Sequence, residues 1–201
     1  MKTVGACIIA KNEAALIGRM LESVKWCDQI VVVDTGSQDR TVEIAQAYGA
    51  EVHLDFVWCD DFSLCQNHAK AKMRTSWIIS IDCDEILLSS EQEVRSAVEQ
   101  ANEVVRVTMV AEGDAKNEFG FGRIFRNIPE IFWCQPIHKH LNVPGEGERV
   151  GNVRIQYGWS PAHALDPDRS LRMLEQTVST EENPTRNLYY LGREYLYKQR
   201  Y

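Results

Sequence analysis

What the chain lacks narrows its class first. Its 201 residues contain no run of 18 apolar positions, so no segment reads as a membrane-spanning helix. The opening stretch, Met1-Lys2-Thr3-Val4-Gly5-Ala6-Cys7, carries one positive charge and reaches Lys11-Asn12-Glu13 without a long apolar segment. It reads as a first strand and not as a signal peptide. Positive charge is in deficit. A net charge of -7 argues against a broad nucleic-acid surface while leaving room for a local basic pocket. The six cysteines, at 7, 27, 59, 65, 83 and 134, show no zinc-type pairing and read as free thiols of a reducing cytosol. There is no Gly-x-x-x-x-Gly-Lys phosphate loop and no Gly-x-Gly-x-x-Gly turn. Those absences disfavour a nucleoside triphosphatase and a dinucleotide oxidoreductase. No internal repeat and no low-complexity stretch is evident.

What is there is an ordinary globular composition, 44% hydrophobic and 25% charged, long enough for one domain or one domain with an appendage. Val4 to Ala10 is nearly all apolar and reads as a buried parallel strand. Leu16, Ile17, Met20, Leu21 and Val24 form one helical face. Ile30 to Val33 is a second strand. Thr41 to Tyr48 is a second helix, with Val42, Ile44 and Ala45 inward and Gly49 as its C-cap. Glu51 to Leu54 is a short strand, and Asp61 to Met73 a helix with Phe62, Cys65, Ala69 and Met73 on one face. Trp77 to Ile81, a helix over Ser90 to Asn102 and a strand over Val104 to Val110 complete the series. Strand and helix alternating at short spacing predict an α/β fold, a mostly parallel central sheet flanked by helices.

The pattern changes after residue 111. Ala111 to Gly122 holds Gly113, Gly120 and Gly122 among alternating charges and reads as a mobile loop. Arg123 to Arg126 and Ile131 to Leu141 read as strands around an Asn127-Ile128-Pro129 turn, and Pro144 to Gly151 as a further loop. Pro167 to Thr180 and Pro184 to Tyr201 read as helices. The second is crowded with tyrosines; packing on the core, a homodimer surface and contact with a downstream helical region all fit it.

Ligands of parallel sheets bind at the carboxyl ends of strands. Two strands here end in acids: Asp34 after the second, and Asp82 and Asp84 after the fourth. In an extended segment Asp82 and Asp84 point the same way, a spacing suited to one divalent cation bridging a diphosphate. An Asp-x-Asp pair alone fits a solvated turn equally well.

The chain resembles the family 2 glycosyltransferases, and within them the branch of lipopolysaccharide-core glucosyltransferases and of bacterial and prophage peptide S-glycosyltransferases. The likeness rests on Ile9-Ala10-Lys11-Asn12-Glu13, on Ile30 to Thr41, on Trp58-Cys59-Asp60-Asp61-Phe62-Ser63 with Asn67, and on Trp77 to Glu85. Arg123-Ile124-Phe125-Arg126-Asn127 and Pro136-Ile137-His138 extend it over roughly the first 140 residues. The resemblance implies a nucleotide-sugar transferase fold of the GT-A type. Its core would span 1–165, divided into a donor half 1–110 and an acceptor half 111–165, with C-terminal helices over 166–201. It implies a metal-dependent, inverting transfer of a hexose from a UDP-sugar to a glycan, lipid-linked or peptide acceptor, in the cytoplasm or peripherally at the inner membrane surface. Manganese or magnesium is the implied cofactor. Asp34 would meet the uracil edge, Ala10 and Glu13 the nucleoside, and Asp82 and Asp84 the metal and donor sugar, with Asp84 the direct metal ligand.

Three positions depart from the branch. Gln66 stands where an arginine is usual, Lys139 where a glutamate follows the histidine, and Gln156 where relatives have a histidine; His163 is a substitute for the last. These departures raise a second reading, a binding or scaffold module of the same fold that has lost transfer. Among individual residues, Lys11 either faces phosphate or pairs with Glu13. Asn67 belongs with the donor-binding set. His138 fits a general base or a structural donor, and Glu118 and Asp114 are alternative bases in the glycine-bearing loop. Arg123 and Arg126 read as sharing a strand face toward diphosphate or acceptor. Trp133 reads as a sugar platform or a core residue.

Overall fold

Val4–Ala10 (β1) contains no charged residue and is buried at every position but Ile9, as a strand covered on both faces must be. The computed structural model describes residues 2–144 and 147–198, the side chains of Ala115 and Ala162 excepted. β1 is followed by Ile17–Val24 (α1), Gln29–Asp34 (β2), Thr41–Ala47 (α2), Glu51–His53 (β3), Phe62–Ala71 (α3) and Trp77–Ser80 (β4). Next come Glu85–Leu87 (β5), Glu91–Gln100 (α4), Val104–Ala111 (β6) and Asp114–Arg126 (β7). Trp133–Cys134 (β8), His140–Leu141 (β9), Arg154–Tyr157 (β10), Arg169–Thr180 (α5) and Thr185–Lys198 (α6) complete the chain.

Helix starts obey local chemistry. The Asp61 carboxylate accepts from the Leu64 N–H at 2.9 Å and opens α3. Ser90 and Glu93 form a reciprocal capping box at the start of α4. Each such cap contributes about 1 kcal/mol. Gly49 takes a φ of 79° where α2 ends, a conformation that only glycine adopts without strain.

Eight strands form one sheet in the order β3-β2-β1-β4-β7-β6-β10-β5. The β3-β2-β1-β4 run is parallel, as is β6-β10, while β7 runs antiparallel to both neighbours and β5 antiparallel to β10. The chain moves outward from β1 to β2 and β3 and then returns to place β4 on the other side of β1. That reversal leaves a crevice at the carboxyl ends of β1 and β4. Side chains alternate across the sheet. Val4, Ala6, Ile8 and Ala10 join Ile17, Met20, Leu21, Val24 and the inner face of α4, while Cys7, Val31 and Val33 meet Cys65, Ala69 and Met73 of α3 on the other face. Cys7, Cys65 and Cys83 are buried and all six thiols are free; burial pushes the Cys7 thiol up to about 12.

Four expectations need correction. Residues 111–122 are not a loop: they are a hairpin, with β6 and the 13-residue β7 paired from Val104 to Ala111. Its glycines do strand work. Gly113, at a φ of 79°, sits between the two strands, and a Cβ on Gly120 would lie 2.3 Å from Arg106 Nε, which crosses it. The expected strand over Ile131 to Leu141 shrinks to the two-residue β8 and β9. β5 and β10 went unread, being only three and four residues long. Arg123 and Arg126 lie three apart, so they point to opposite faces: Arg123 is buried and Arg126 exposed. The loop expected over Pro144 to Gly151 includes residues 145 and 146, and the last helix was expected to reach Tyr201; residues 145, 146 and 199–201 lie outside the described residues. Among the described residues no helix is long and apolar enough to cross a membrane.

Candidate active site

Two loops at the crevice are stitched together by short polar side chains. Asn12, at a φ of 56°, donates its N–H to Ser37 Oγ at 2.7 Å, and its own Oδ1 accepts from the Gln38 N–H at 2.8 Å. The Glu13 N–H donates to Thr41 Oγ1 at 2.8 Å, and Asp39 accepts from the Ala14 N–H at 3.1 Å. Asp34 is consumed by the same loop. Its carboxylate accepts the N–H groups of Gly36 at 2.9 Å and Ser37 at 2.8 Å, together with the Ser37 hydroxyl. The stitching fixes Ala10 to Glu13 at the crevice edge and leaves Asp34 3% exposed.

After β4 the chain does not stay extended. Asp82 C=O accepts the Glu85 N–H at 3.0 Å and Glu85 Oε2 accepts the Asp82 N–H at 2.8 Å, closing a tight turn over Asp82-Cys83-Asp84-Glu85. The turn is braced by the Gly158 N–H, which donates to Asp84 C=O at 3.1 Å. The two aspartates therefore leave a turn, not one strand face, and their surroundings differ. Asp82 Oδ2 faces Arg123 Nη2 at 3.1 Å and Asp82 Oδ1 faces Lys139 Nζ at 3.4 Å. The same Arg123 nitrogen lies 2.5 Å from Glu85 Oε1. Among the described residues no other residue is found in a hydrogen bond or ion pair with the Asp84 carboxylate, which takes a backbone N–H of its own.

Charge and burial tune these groups against one another. Burial alone would raise Asp82, but Lys139 and Arg123 hold it well below the usual carboxylate range. Burial pushes Glu85 up to about 8 against the pull of Arg123, with Asp82 adding to the rise. Asp84 is raised by burial and by the neighbouring Asp82. Glu13 is raised by burial, partly offset by the Ser160 hydroxyl, which donates to its Oε2 at 2.7 Å. His163, on the single turn of 3-10 helix Pro161–Leu165, is lowered by burial, with Asp84 opposing.

These groups line one cavity of about 860 Å³. Its floor holds Ala10, Lys11, Glu13, Asp82, Asp84 and Glu85. An apolar wall of Met109, Phe119, Phe121 and Tyr157 rises from β6, β7 and β10. His138, Lys139, His163 and Arg169 also line it. His138 sits at a φ of 51° and stacks on Tyr190 of α6 at 3.8 Å; burial, with Arg186 and Arg193 nearby, lowers it to about 4. Lys139 lies between the rings of Phe62 and Trp133, 5.9 and 5.6 Å from their centroids.

Of the expected site residues, the fold thus gathers Ala10, Lys11, Glu13, Asp82, Asp84 and His138. It places Lys11 beside the cavity without an ion pair to Glu13 among the described residues. Asp34, Asn67, Arg126, Asp114 and Glu118 are not among the lining residues. The Asn67 amide both donates to Trp133 C=O and accepts from the Trp133 N–H, each at 2.9 Å, and so pins β8. Arg126 pairs in register with Trp77, at the amino end of β4 and far from the crevice, because β7 is antiparallel. Asp114 accepts the Lys116 N–H at the hairpin, and Glu118 pairs with Arg154. Gln66 is wholly buried, with its Oε1 4.0 Å from Cys7 Sγ. Trp133 is a core residue, 2% exposed and edge-on to Phe125. Glu85 and Arg169 went unread. Glu85 stood within the acidic run and was readable there, whereas nothing local marked Arg169, in the first turn of α5.

Known proteins resemble this chain in sequence and in fold. Residues 6–143 match the family described as Glycosyl transferase family 2. Over 145 residues the chain is 39% identical to a TPR repeat-containing protein of Synechococcus elongatus, covering 69% of this chain and 35% of that protein. It is 23% identical to the SPbeta prophage-derived glycosyltransferase SunS of Bacillus subtilis, over 96% of this chain and 49% of that one. TarS 1-349 of S. aureus in complex with UDP-GlcNAc shares the fold at a TM-score of 0.61 and 10% identity, over 97% of this chain and 73% of that chain. The chain spans about a third of the length of the first of these relatives and about half of the second.

Proposed function

The chain belongs to glycosyl transferase family 2 and has the GT-A fold, and on that premise we propose that it transfers a hexose from a UDP-sugar to a glycan, lipid-linked or peptide acceptor. The observation that carries this reading is the Asp84 carboxylate, without a partner in any other of the described residues, facing a cavity at the carboxyl ends of β1 and β4. The fold shared with TarS, whose structure holds UDP-GlcNAc, supports a uridine donor.

The residues fit a divalent cation that arrives with the donor. Among the described residues no group of three or more His, Cys, Asp or Glu side chains is arranged to hold a metal alone. Asp84 is the carboxylate left for it, and His163 is the imidazole near enough to Asp84 for each to shift the other. The remaining ligands would come from diphosphate and water, as suits a hard cation. Such a cation, when bound, supplies positive charge to the leaving diphosphate.

The other residues bind, orient and accept a proton. Ala10, Lys11 and Glu13 border the nucleoside end of the cavity. Asp82, fixed by Arg123 and Lys139, presents a rigid edge to the donor sugar. Arg169 faces the donor side of the cavity, close enough to Glu13 and Asp60 to feel their charge. The acceptor oxygen or sulfur attacks the anomeric carbon from the side opposite the diphosphate. The bond from that carbon to the diphosphate oxygen breaks, and the configuration inverts. His138 is the proton acceptor: burial keeps its imidazole neutral, and it lines the cavity.

Incubation with a panel of UDP-sugars, following UDP release with and without manganese, tests this reading. Metal-stimulated release that Asp84→Asn abolishes supports it, and no release or transfer with any donor contradicts it. The second reading, a binding module without transfer, is favoured by Lys139 on Asp82, and predicts UDP binding with no sugar turnover.

A further inference from the structure

Lys139 is the one departure from the family pattern that lands inside the cavity in contact with the acidic turn. It is not a surface lysine. Its side chain is 14% exposed, its ammonium lies 3.4 Å from Asp82 Oδ1, and the Phe62 and Trp133 rings flank it. The residue before it is in the left-handed region, so the backbone delivers the side chain into this slot from a sharp bend. Arg123 takes the other oxygen of Asp82. Both oxygens of the first aspartate thus already face fixed cations, and a metal ion could use them only by displacing an ion pair.

Resting on the donor-site reading above, we propose that Lys139 is a built-in counter-cation that keeps the divalent metal out of the donor-free protein, so that the metal enters only together with the diphosphate. Two effects act in the same direction. Lys139 occupies a ligand atom that a metal would otherwise take. Its positive charge also repels a divalent cation brought to the acidic turn. At a separation of about 6 Å and the dielectric of water that repulsion amounts to about tenfold in affinity, and to more in a half-buried cleft. Without donor, Asp84 and His163 are too few to outweigh it. A diphosphate brings its own negative oxygens and reverses the balance. Lys139 is a positioning residue in this account, acting on the metal through charge and through Asp82.

The test is donor-free manganese binding, read as loss of the six-line paramagnetic resonance of the free aqueous ion. It uses the full chain as wild type, Lys139→Gln, Lys139→Glu and Lys139→Arg. Wild type and Lys139→Arg should bind manganese weakly until UDP is added. Lys139→Gln should bind it at least about tenfold more tightly without UDP, and Lys139→Glu more tightly again. Adding Asp84→Asn to Lys139→Gln should remove the gain, which locates the ion. A merely structural lysine would alter the melting temperature of the variants and leave donor-free affinity unchanged, overturning the proposal. Tight donor-free binding by wild type would overturn it even if no variant folds. UDP takes no part in the donor-free comparison, so a protein that fails to bind UDP contradicts the donor reading through a separate measurement.

Discussion

The first half of the chain supplies most of the carboxylates of the cleft, and the second half most of the cations that answer them. Glu13, Asp82, Asp84 and Glu85 stand directly after β1 and β4, whereas Arg123, Lys139 and Arg169 come from β7, a bent loop and α5. Lys11 and Asp166 are the exceptions on either side. Neighbouring strand ends bring the acids together at small cost in chain length. The cations arrive from 38 to 57 residues away in the three pairs that hold Glu85 and Asp82. The acids can therefore be read as a motif, while their neutralisation is a tertiary event. The consequence is chemical: of two aspartates two positions apart, one is clamped and one is open.

The largest effect should come from breaking the open side. Asp84→Asn should lower turnover on UDP-sugars by about a hundredfold or more, with a melting temperature no lower than that of wild type, because burial and Asp82 already disfavour the Asp84 charge. Breaking the clamped side should hurt the fold. Arg123→Met leaves Asp82 and Glu85 without their buried partner and should cost about 3–5 kcal/mol in urea unfolding at neutral pH. Adding Glu85→Gln should recover part of that loss if the two act as one unit.

Smaller changes sharpen the division between site and scaffold. Asn67→Ala should cost about 1–3 kcal/mol through the two lost hydrogen bonds to Trp133 and leave UDP affinity unaltered in calorimetry. His138 gives a pH signature. Its folded value of about 4 is below that of an unfolded histidine, so its stabilising contribution is present above about pH 6.5 and is lost as pH falls toward 4. His138→Asn, which tolerates the left-handed backbone, should flatten that part of the stability profile and slow transfer. Asp114→Asn and Glu118→Gln should leave transfer rates within about twofold, because neither side chain lines the cavity.

The sequence made the parallel half legible because local rules and tertiary outcome agree there. The apolar run of β1, the four β-branched residues of β2 and the capped α3 and α4 each satisfy their own propensity and their neighbours at once. The second half conceals itself for physical reasons. Gly120 reads as a loop residue, yet it is the flat seat for Arg106 within a strand. β5 and β10 are too short to show alternation and form only through tertiary pairing, β5 on β10 and β10 on both β5 and β6. Within the site, Asp82 and Asp84 were readable as a pair but not as unequal, since the inequality depends on Arg123 and Lys139. Asp34 and Asn67 match the family motif, and in the fold their polar atoms are spent on Gly36, Ser37 and Trp133.

Calorimetric titration of UDP into the protein, with and without manganese and with guanosine and adenosine diphosphates as controls, tests the central claim most directly. The account predicts manganese-dependent, uridine-selective binding that Asp84→Asn abolishes. Absence of selective UDP binding under both conditions, or binding indifferent to Asp84, would contradict it.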